Sequence, residues 1–225
     1  MKTIVISLGG SVIIPNEVDT AFLQKFKNVI MKFRRTYKII LVTGGGSIAR
    51  TYIRALNRKN AKIQSLMGIS ITRLNAKFLY NLFDLKFYTL PHTLKEVKNL
   101  VKRNPIVICG ALRYEPKQTS DGTAAEIAKY LKADFFINIT NVDGLYTKDP
   151  KLKGARLIKK MSSERFYDIT KKIKFHAGQH FVLDANAAKI ILKEKIPTYI
   201  IGRNLNNLER ILHGKTFRGT LLFPL

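Results

Sequence analysis

The strongest constraint in the chain is a series of short apolar runs of strand length, at Ile4 to Leu8, Ile39 to Val42, Phe87 to Leu90, Ile106 to Cys109, Phe135 to Ile139, Thr198 to Ile201 and Thr220 to Phe223. Most lack polar alternation, the pattern of strands buried on both faces. Between them run stripes of helical period: Phe22, Phe26, Val29, Ile30 and Phe33; then Met67, Ile71, Leu74, Phe78 and Leu82; then Ala124, Ile127, Ala128 and Leu131. Strands alternating with helices predict an α/β fold, a three-layer α/β/α sandwich around an open, largely parallel sheet. A chain of 225 residues can build one full core, so a single domain is expected. The least regular stretch, Leu145 to His180, is the expected connection between two lobes.

Composition removes several classes of function. No apolar run approaches the roughly 20 residues of a membrane-spanning helix, and the expected setting is cytoplasmic. The opening MKTIVISLGGSVIIP is interrupted by Gly9, Gly10 and Pro15 and lacks a small-residue cleavage site, so it reads as a buried strand, not a signal peptide. The single cysteine, Cys109, excludes an internal disulfide and is expected to be a buried thiol. Forty Lys+Arg against 15 Asp+Glu give a net charge of +25, but the lysines are scattered over nearly every predicted helix and loop. That distribution fits a compositional bias, and without clustered basic residues alternating with aromatics a nucleic-acid partner is not expected. The histidines, His92, His176, His180 and His213, show neither metal-ligand spacing nor a nucleophile partner.

Parallel sheets bind ligands beyond the carboxyl ends of their strands, and this chain puts its glycines there. Leu8 ends the first run and Gly9-Gly10-Ser11 follows; Thr43 ends the second, and Gly44-Gly45-Gly46-Ser47 precedes a helix expected from near Ile48. Such turns let backbone amides approach phosphate oxygens, and a helix start adds partial positive charge. Neither is a Walker motif, since no Lys-Ser or Lys-Thr follows, and neither is G-x-G-x-x-G. Taken singly, each reads equally well as a tight turn. Two at successive strand ends, with Arg50 one helical turn past Gly46, point to a polyphosphate site.

These turns belong to a longer series: LGGS at 8–11, VTGGGSIAR at 42–50, GISITRLNA at 68–76, TSDGTAAE at 119–126, ITNVDGLYTKDP at 139–150 and LDANAAKII at 183–191. In this order, over nearly the whole chain, the series resembles the amino acid kinase superfamily, and within it the uridylate kinases of archaeal type. The resemblance implies an ATP- and Mg2+-dependent kinase that converts UMP to UDP in pyrimidine nucleotide synthesis, assembled as a homo-oligomer, a hexamer. It implies an acceptor-binding part over 1–134 and an ATP-binding part over 135–225. Gly9, Gly10 and Ser11 would hold the ATP phosphates with Gly46 and Arg50, and Gly9, Gly10 and Arg50 would form the catalytic set. Thr140 and Asn141 would lie near the phosphates and ribose, Tyr146 beside the adenine and Asp149 within reach of the nucleoside. Toward the acceptor, Gly45 would face the UMP phosphate, with Ser65, Arg73, Pro116, Thr119 and Ser120 completing that side. Local chemistry supplies other readings: Arg73 as a helix-surface arginine, Thr119 and Ser120 as a helix cap, Tyr146 as a cover over the core, and Asp143-Gly144 as a turn.

The sequence also departs from that pattern. Ser7 stands two residues before the Gly-Gly pair, where many superfamily members have a lysine, although some archaeal uridylate kinases lack it too; Lys148 and Lys189 are the candidate replacement cations. Ser65 stands where the archaeal pattern has an aspartate, and losing that charge-assisted bond would cost about 1–2 kcal/mol of acceptor binding. The segment GALRYEPKQTSD, 110–121, is longer than its counterpart, and its Arg113 and Lys117 read either as phosphate contacts or as solvated charges. A different small phosphate or nucleotide as acceptor, or a nucleotide-binding relative without turnover, therefore stays open at this level. No general base is demanded, because an acceptor phosphate is already ionised.

Overall fold

The apolar runs form strands β1 (Lys2–Leu8), β2 (Tyr37–Thr43), β3 (Ile106–Cys109), β4 (Phe135–Ile139), β6 (Thr198–Ile201) and β7 (Thr220–Phe223), joined by a short β5 (Lys160–Ser162). Helices α1 (Gly10–Ile13), α2 (Thr20–Phe33), α3 (Gly46–Ala55), α4 (Ala61–Leu82), α5 (Leu94–Arg103), α6 (Ser120–Leu131), α7 (Ser163–Thr170), α8 (Ala185–Lys193) and α9 (Leu205–Leu212) lie between them. This computed structural model describes residues 1–56, 60–86, 89–115, 119–172 and 182–225. Pro116, Lys117, His176 and His180 lie outside the described residues, as do the first two positions of the strand expected at 87–90; Thr89 and Leu90 are not in a strand.

The strands form one seven-stranded sheet in the order β3-β2-β1-β4-β6-β7-β5. All pairings are parallel except β6 with β7, which is antiparallel. The expected open, mostly parallel sheet flanked by helices is therefore what forms. Successive strand residues point to opposite faces, so each face builds its own core. Ile4, Ile6, Leu8, Ile39, Leu41, Ile137 and Ile139 pack with Phe26 and Ile30 of α2, Leu79 of α4 and Leu208 of α9. Val5, Ile40, Val42 and Phe136 pack with Val97 of α5, Ala124 and Ile127 of α6, Phe166 of α7 and Ala188 of α8.

Two expectations need correction. The stripe Met67, Ile71, Leu74, Phe78 and Leu82 misjudges which side of α4 faces inward, because Leu74 is 58% exposed. The buried face instead carries Ile71, Thr72, Asn75, Ala76, Leu79 and Tyr80. Polar residues face inward because they bond loop carbonyls and amides, described below. The segment from Leu145 onward is not merely a connection: it contains β5 and α7, and β5 pairs in parallel with β7 at the sheet edge.

Cys109 is fully buried at the end of β3, and burial pushes its thiol up to about 12. Neutral thiols react slowly with disulfide reagents, because the thiolate is the nucleophile. Native protein at pH 8 should leave Cys109 unmodified by a chromogenic disulfide, whereas protein unfolded in guanidinium should release one thiol equivalent promptly. Fast labelling of the native chain would contradict this packing.

Candidate active site

Strand order reverses direction at β1, which pairs with β2 on one side and β4 on the other. A crevice is expected outside the carboxyl ends of the strands at such a point. Gly9 N donates to the Ile139 carbonyl at 2.9 Å and Gly44 N to the Leu8 carbonyl at 2.9 Å, tying three strand ends together. The two glycine turns then meet backbone to backbone. A Cβ on Gly10 would overlap the Gly46 backbone nitrogen, and one on Gly44 would sit 2.5 Å from the Gly10 nitrogen. Gly46 has φ +68°, a left-handed conformation that glycine adopts without a Cβ clash. It opens α3, two residues earlier than expected, and Gly45 is the N-cap. Ser47 Oγ donates to the Ile14 carbonyl at 3.1 Å, binding the second turn to the end of α1.

The inward face of α4 braces these turns. Asn75 Nδ2 donates to the Gly44 carbonyl at 2.8 Å, and Thr43 Oγ1 donates to the Thr72 carbonyl at 2.7 Å. The Ala111 amide donates to Thr72 Oγ1 at 2.9 Å. Arg73, next on the helix, turns Nε to the Ala111 carbonyl at 3.0 Å and Nη2 to the Leu112 carbonyl at 2.5 Å. Burial pulls the Arg73 guanidinium below its ordinary value. One edge of that guanidinium thus holds the loop after β3 in place. Thr72 and Asn75 were missed as site-building residues; their signal was the i, i+3 spacing inside ISITRLNA, on the face they share with Ile71 and Ala76.

Arg50 lies on α3 past the glycine turn and forms no ion pair among the described residues. Burial first, then the neighbouring Arg54, lowers its pKa, so this cation is half-buried and uncompensated beside the turn. Ser65 is less committed to the site. Its hydroxyl donates to the Ala61 carbonyl at 2.9 Å within the first turns of α4. Arg113 pairs with Glu115 at 2.8 Å, which favours a solvated loop charge over a phosphate contact, and Lys189 on α8 is exposed.

Thr119 caps α6, its Oγ1 accepting from the Asp121 amide at 3.1 Å, with Ser120 the first helical residue. The same hydroxyl donates to Asp184, which in turn caps α8 through the Ala187 amide at 2.8 Å. Two helix starts are thereby joined at the same sheet edge. Asp121, in the first turn of α6, accepts from Ser7 Oγ at 2.6 Å.

Beyond β4, the Thr140 amide donates to the Ile201 carbonyl at 2.9 Å, and Asn141 is exposed next to it. Asp143 binds Arg218 Nε at 2.7 Å, confirming a structural part for this carboxylate. Asp143 first, and then the Tyr146 hydroxyl, raise the Arg218 pKa, so Arg218 orients both. A Cβ on Gly144 would lie 2.6 Å from Thr220 Oγ1, which pins the turn to the start of β7. Tyr146 is half-buried and bridges to Leu157, while Asp149 sits on the exposed rim, accepting from the Lys151 amide at 2.9 Å. At the end of β6, Arg203 pairs with Asp19 and lies 4.7 Å over the Phe22 ring. The Phe22 amide, then Arg203, hold the Asp19 carboxyl below its ordinary value. A separate open cavity of about 660 Å³ is lined by Pro15 to Ala21 and includes none of the candidate residues.

The structure thus gathers Gly9, Gly10, Ser11, Gly45, Gly46, Arg50, Thr140 and Asn141 around the ends of β1, β2 and β4, with Arg73, Thr119 and Ser120 on flanking helix segments. A profile of the amino acid kinase family matches residues 2–202. A uridylate kinase from Thermococcus sibiricus is 35% identical over 226 residues, 98% of this chain and 99% of the relative. One from Thermoplasma volcanium is 37% identical over 219 residues, 95% of this chain and 94% of that protein. The crystal structure of uridylate kinase from Archaeoglobus fulgidus superposes with a TM-score of 0.84 at 34% identity, covering 99% of this chain and 100% of that one. A strand-end glycine cradle braced by α4, on a sheet of this topology and with likeness over nearly the full length, leads to one conclusion: the chain belongs to the amino acid kinase family, in its branch of archaeal-type uridylate kinases.

Proposed function

We propose that the chain transfers the γ-phosphoryl group of ATP to UMP, giving UDP and ADP. The observation that carries this reading is the contact between Gly10 and Gly44–Gly46, which leaves backbone amides, and no side chains, where two phosphate groups must approach each other. Transfer between two anions depends on in-line placement and on positive charge around the moving group. Amides of the two turns supply the first donors, and the half-buried, unpaired guanidinium of Arg50 supplies the charge. UMP would lie toward α4 and the start of α6, where Gly45, Ser65, Arg73, Thr119 and Ser120 are placed. ATP would lie toward the loop after β4, with Thr140 and Asn141 at its phosphates and ribose and with Tyr146 and Asp149 toward the nucleoside. The acceptor-binding part is thus 1–134 and the ATP-binding part 135–225.

Magnesium would travel on the donor phosphates. Among the described residues no group of three or more His, Cys, Asp or Glu side chains could cage an ion, and Mg2+ suits a site where substrate phosphates and water are its main ligands. No helix of the described residues is long and apolar enough to cross a membrane, and a cytoplasmic role in pyrimidine nucleotide synthesis accords with the reading. Assembly into a homo-oligomer, a hexamer, is supported by the exposed Tyr52 on α3 and Ile63, Leu66 and Leu74 on α4, apolar side chains suited to burial against another copy.

A coupled assay for ADP release should show UMP used in preference to CMP, AMP and isopentenyl phosphate; equal use of all four would overturn the acceptor assignment. Arg50→Met should lower kcat/KM by about 10–100-fold, the worth of a charge-assisted bond to phosphate, without shifting the unfolding midpoint. Gly10→Ala forces the turns apart and should abolish ATP binding in calorimetry; retained affinity would show that the backbone contact is dispensable.

A further inference from the structure

Strand β7 runs antiparallel to β6, so its start meets the edge where the carboxyl ends of β4 and β6 open. Ile200 sits opposite Thr220, and Arg218 precedes the strand by two residues. The main chain there is held on two sides. The Arg218 amide donates to Asn207 Oδ1 of α9 at 3.0 Å, and a Cβ on Gly219 would lie 2.6 Å from the Ile200 carbonyl oxygen. Thr220 adds a further anchor: its Oγ1 donates to the Ile158 carbonyl at 2.6 Å and accepts from the Leu145 amide at 2.8 Å. From this fixed backbone the Arg218 side chain reaches over the turn after β4. Its Nε donates to Asp143 Oδ2 at 2.7 Å, and the Tyr146 side chain is a second hydrogen-bond partner of the guanidinium. The other oxygen of Asp143 lies against Gly202, where a Cβ would come within 2.7 Å of it.

Stability does not account for this arrangement. The Arg218 side chain is 67% exposed and that of Asp143 35% exposed, and an ion pair so open to water adds little net free energy. Its effect is geometric. A planar guanidinium that grips a carboxylate and a phenol at once fixes those two side chains relative to each other, and they stand at the two ends of the Asp143 to Tyr146 turn.

We propose that Arg218 is a positioning residue for the donor nucleotide: by tying Asp143 and Tyr146 to the start of β7, it fixes the Tyr146 ring at the place where the nucleoside of ATP docks. The inference rests on the donor site proposed above. A ring already held in its bound orientation has less freedom to lose when a base packs on it, so affinity rises without any new contact to the ligand. The phosphates of ATP would lie at the glycine turns after β1 and β2. Arg218 therefore bears on the nucleoside half of the ligand and leaves the phosphate half to the main chain.

Calorimetry on Arg218→Met with the Mg2+ complexes of ATP and of inorganic tripolyphosphate, the latter by displacement of bound ATP, tests the inference. ATP affinity should fall about ten-fold, the order expected for ordering one aromatic side chain on binding. Tripolyphosphate affinity should fall by less than about two-fold, because an exposed charge beyond the phosphates is screened. Equal losses would make Arg218 a plain charge acting on the phosphates and would overturn the proposal, as would unchanged ATP affinity. Asp143→Asn is an independent variant that keeps the side-chain shape and removes the charge Arg218 grips. It should weaken ATP similarly, and the double variant should lose no more than the larger single loss; additive losses would also overturn the proposal. Thermal midpoints of all three should stay near that of the unaltered chain, since the pair is exposed. The two readings separate cleanly. UDP formation by a chain in which Arg218→Met weakens both ligands equally, or neither, removes the role of Arg218 and leaves the kinase; a loss confined to ATP in a chain that forms no UDP does the reverse.

Discussion

Backbone contact between the two glycine turns is the constraint on which the rest of the site depends. It requires β1 and β2 to lie side by side in parallel, so that their carboxyl ends open on the same edge. It also requires α3 to begin at Gly46 in a left-handed conformation, which brings Arg50 one turn away from the crevice. A single methyl group at Gly10 would meet the Gly46 nitrogen, and neighbouring strands cannot move aside because each is hydrogen-bonded on both flanks. In the proposed site, phosphate recognition is therefore assigned to main chain held rigid by sheet geometry, with side chains adding charge around it.

Polar residues buried near this contact hold it in register. Thr43, Thr72 and Asn75 lock α4 to the second turn and to the loop after β3, while Ser7 and Asn138, opposite one another on β1 and β4, point to the α6 and α8 side. Asn138 bonds the Val182 carbonyl and Ser7 bonds Asp121. Each polar group is matched, as burial demands. Despite a net charge of +25, the inner ring of the site contains few cations, so the excess of lysine lies mainly on the outer surface. Arg50 and Arg73 are exceptions that burial has partly desolvated, which strengthens their electrostatic effect on a bound anion.

Much of the fold was legible in the sequence because fully buried strands leave a local trace. Ile106–Cys109, Phe135–Ile139, Thr198–Ile201 and Thr220–Phe223 form strands with the bounds that their apolar runs suggested. The three-residue β5 was not legible, since Lys160, Met161 and Ser162 show no apolar run and pair only through β7. Helix α4 misled for a different reason. Its mean apolar pattern was read as the core stripe, but Leu74 points outward and the inward positions Thr72 and Asn75 are polar because they serve loops instead of packing. Periodicity reports hydrophobic burial and is silent where a buried face is built from hydrogen bonds.

What the sequence determined by itself was the alternation of elements, the glycine turns at strand ends, the burial of Cys109, and an order of motifs that identified the family. Tertiary structure alone decided which polar groups meet. Ser7 and Asp121 are 114 positions apart, Asp143 and Arg218 are 75 apart, and Thr119 and Asp184 are 65 apart. No local pattern announces such pairs, because each side chain is an ordinary turn, cap or strand residue in its own segment. They meet only when the parallel sheet brings separate strand and helix ends to one edge, where low water access strengthens hydrogen bonds and charges.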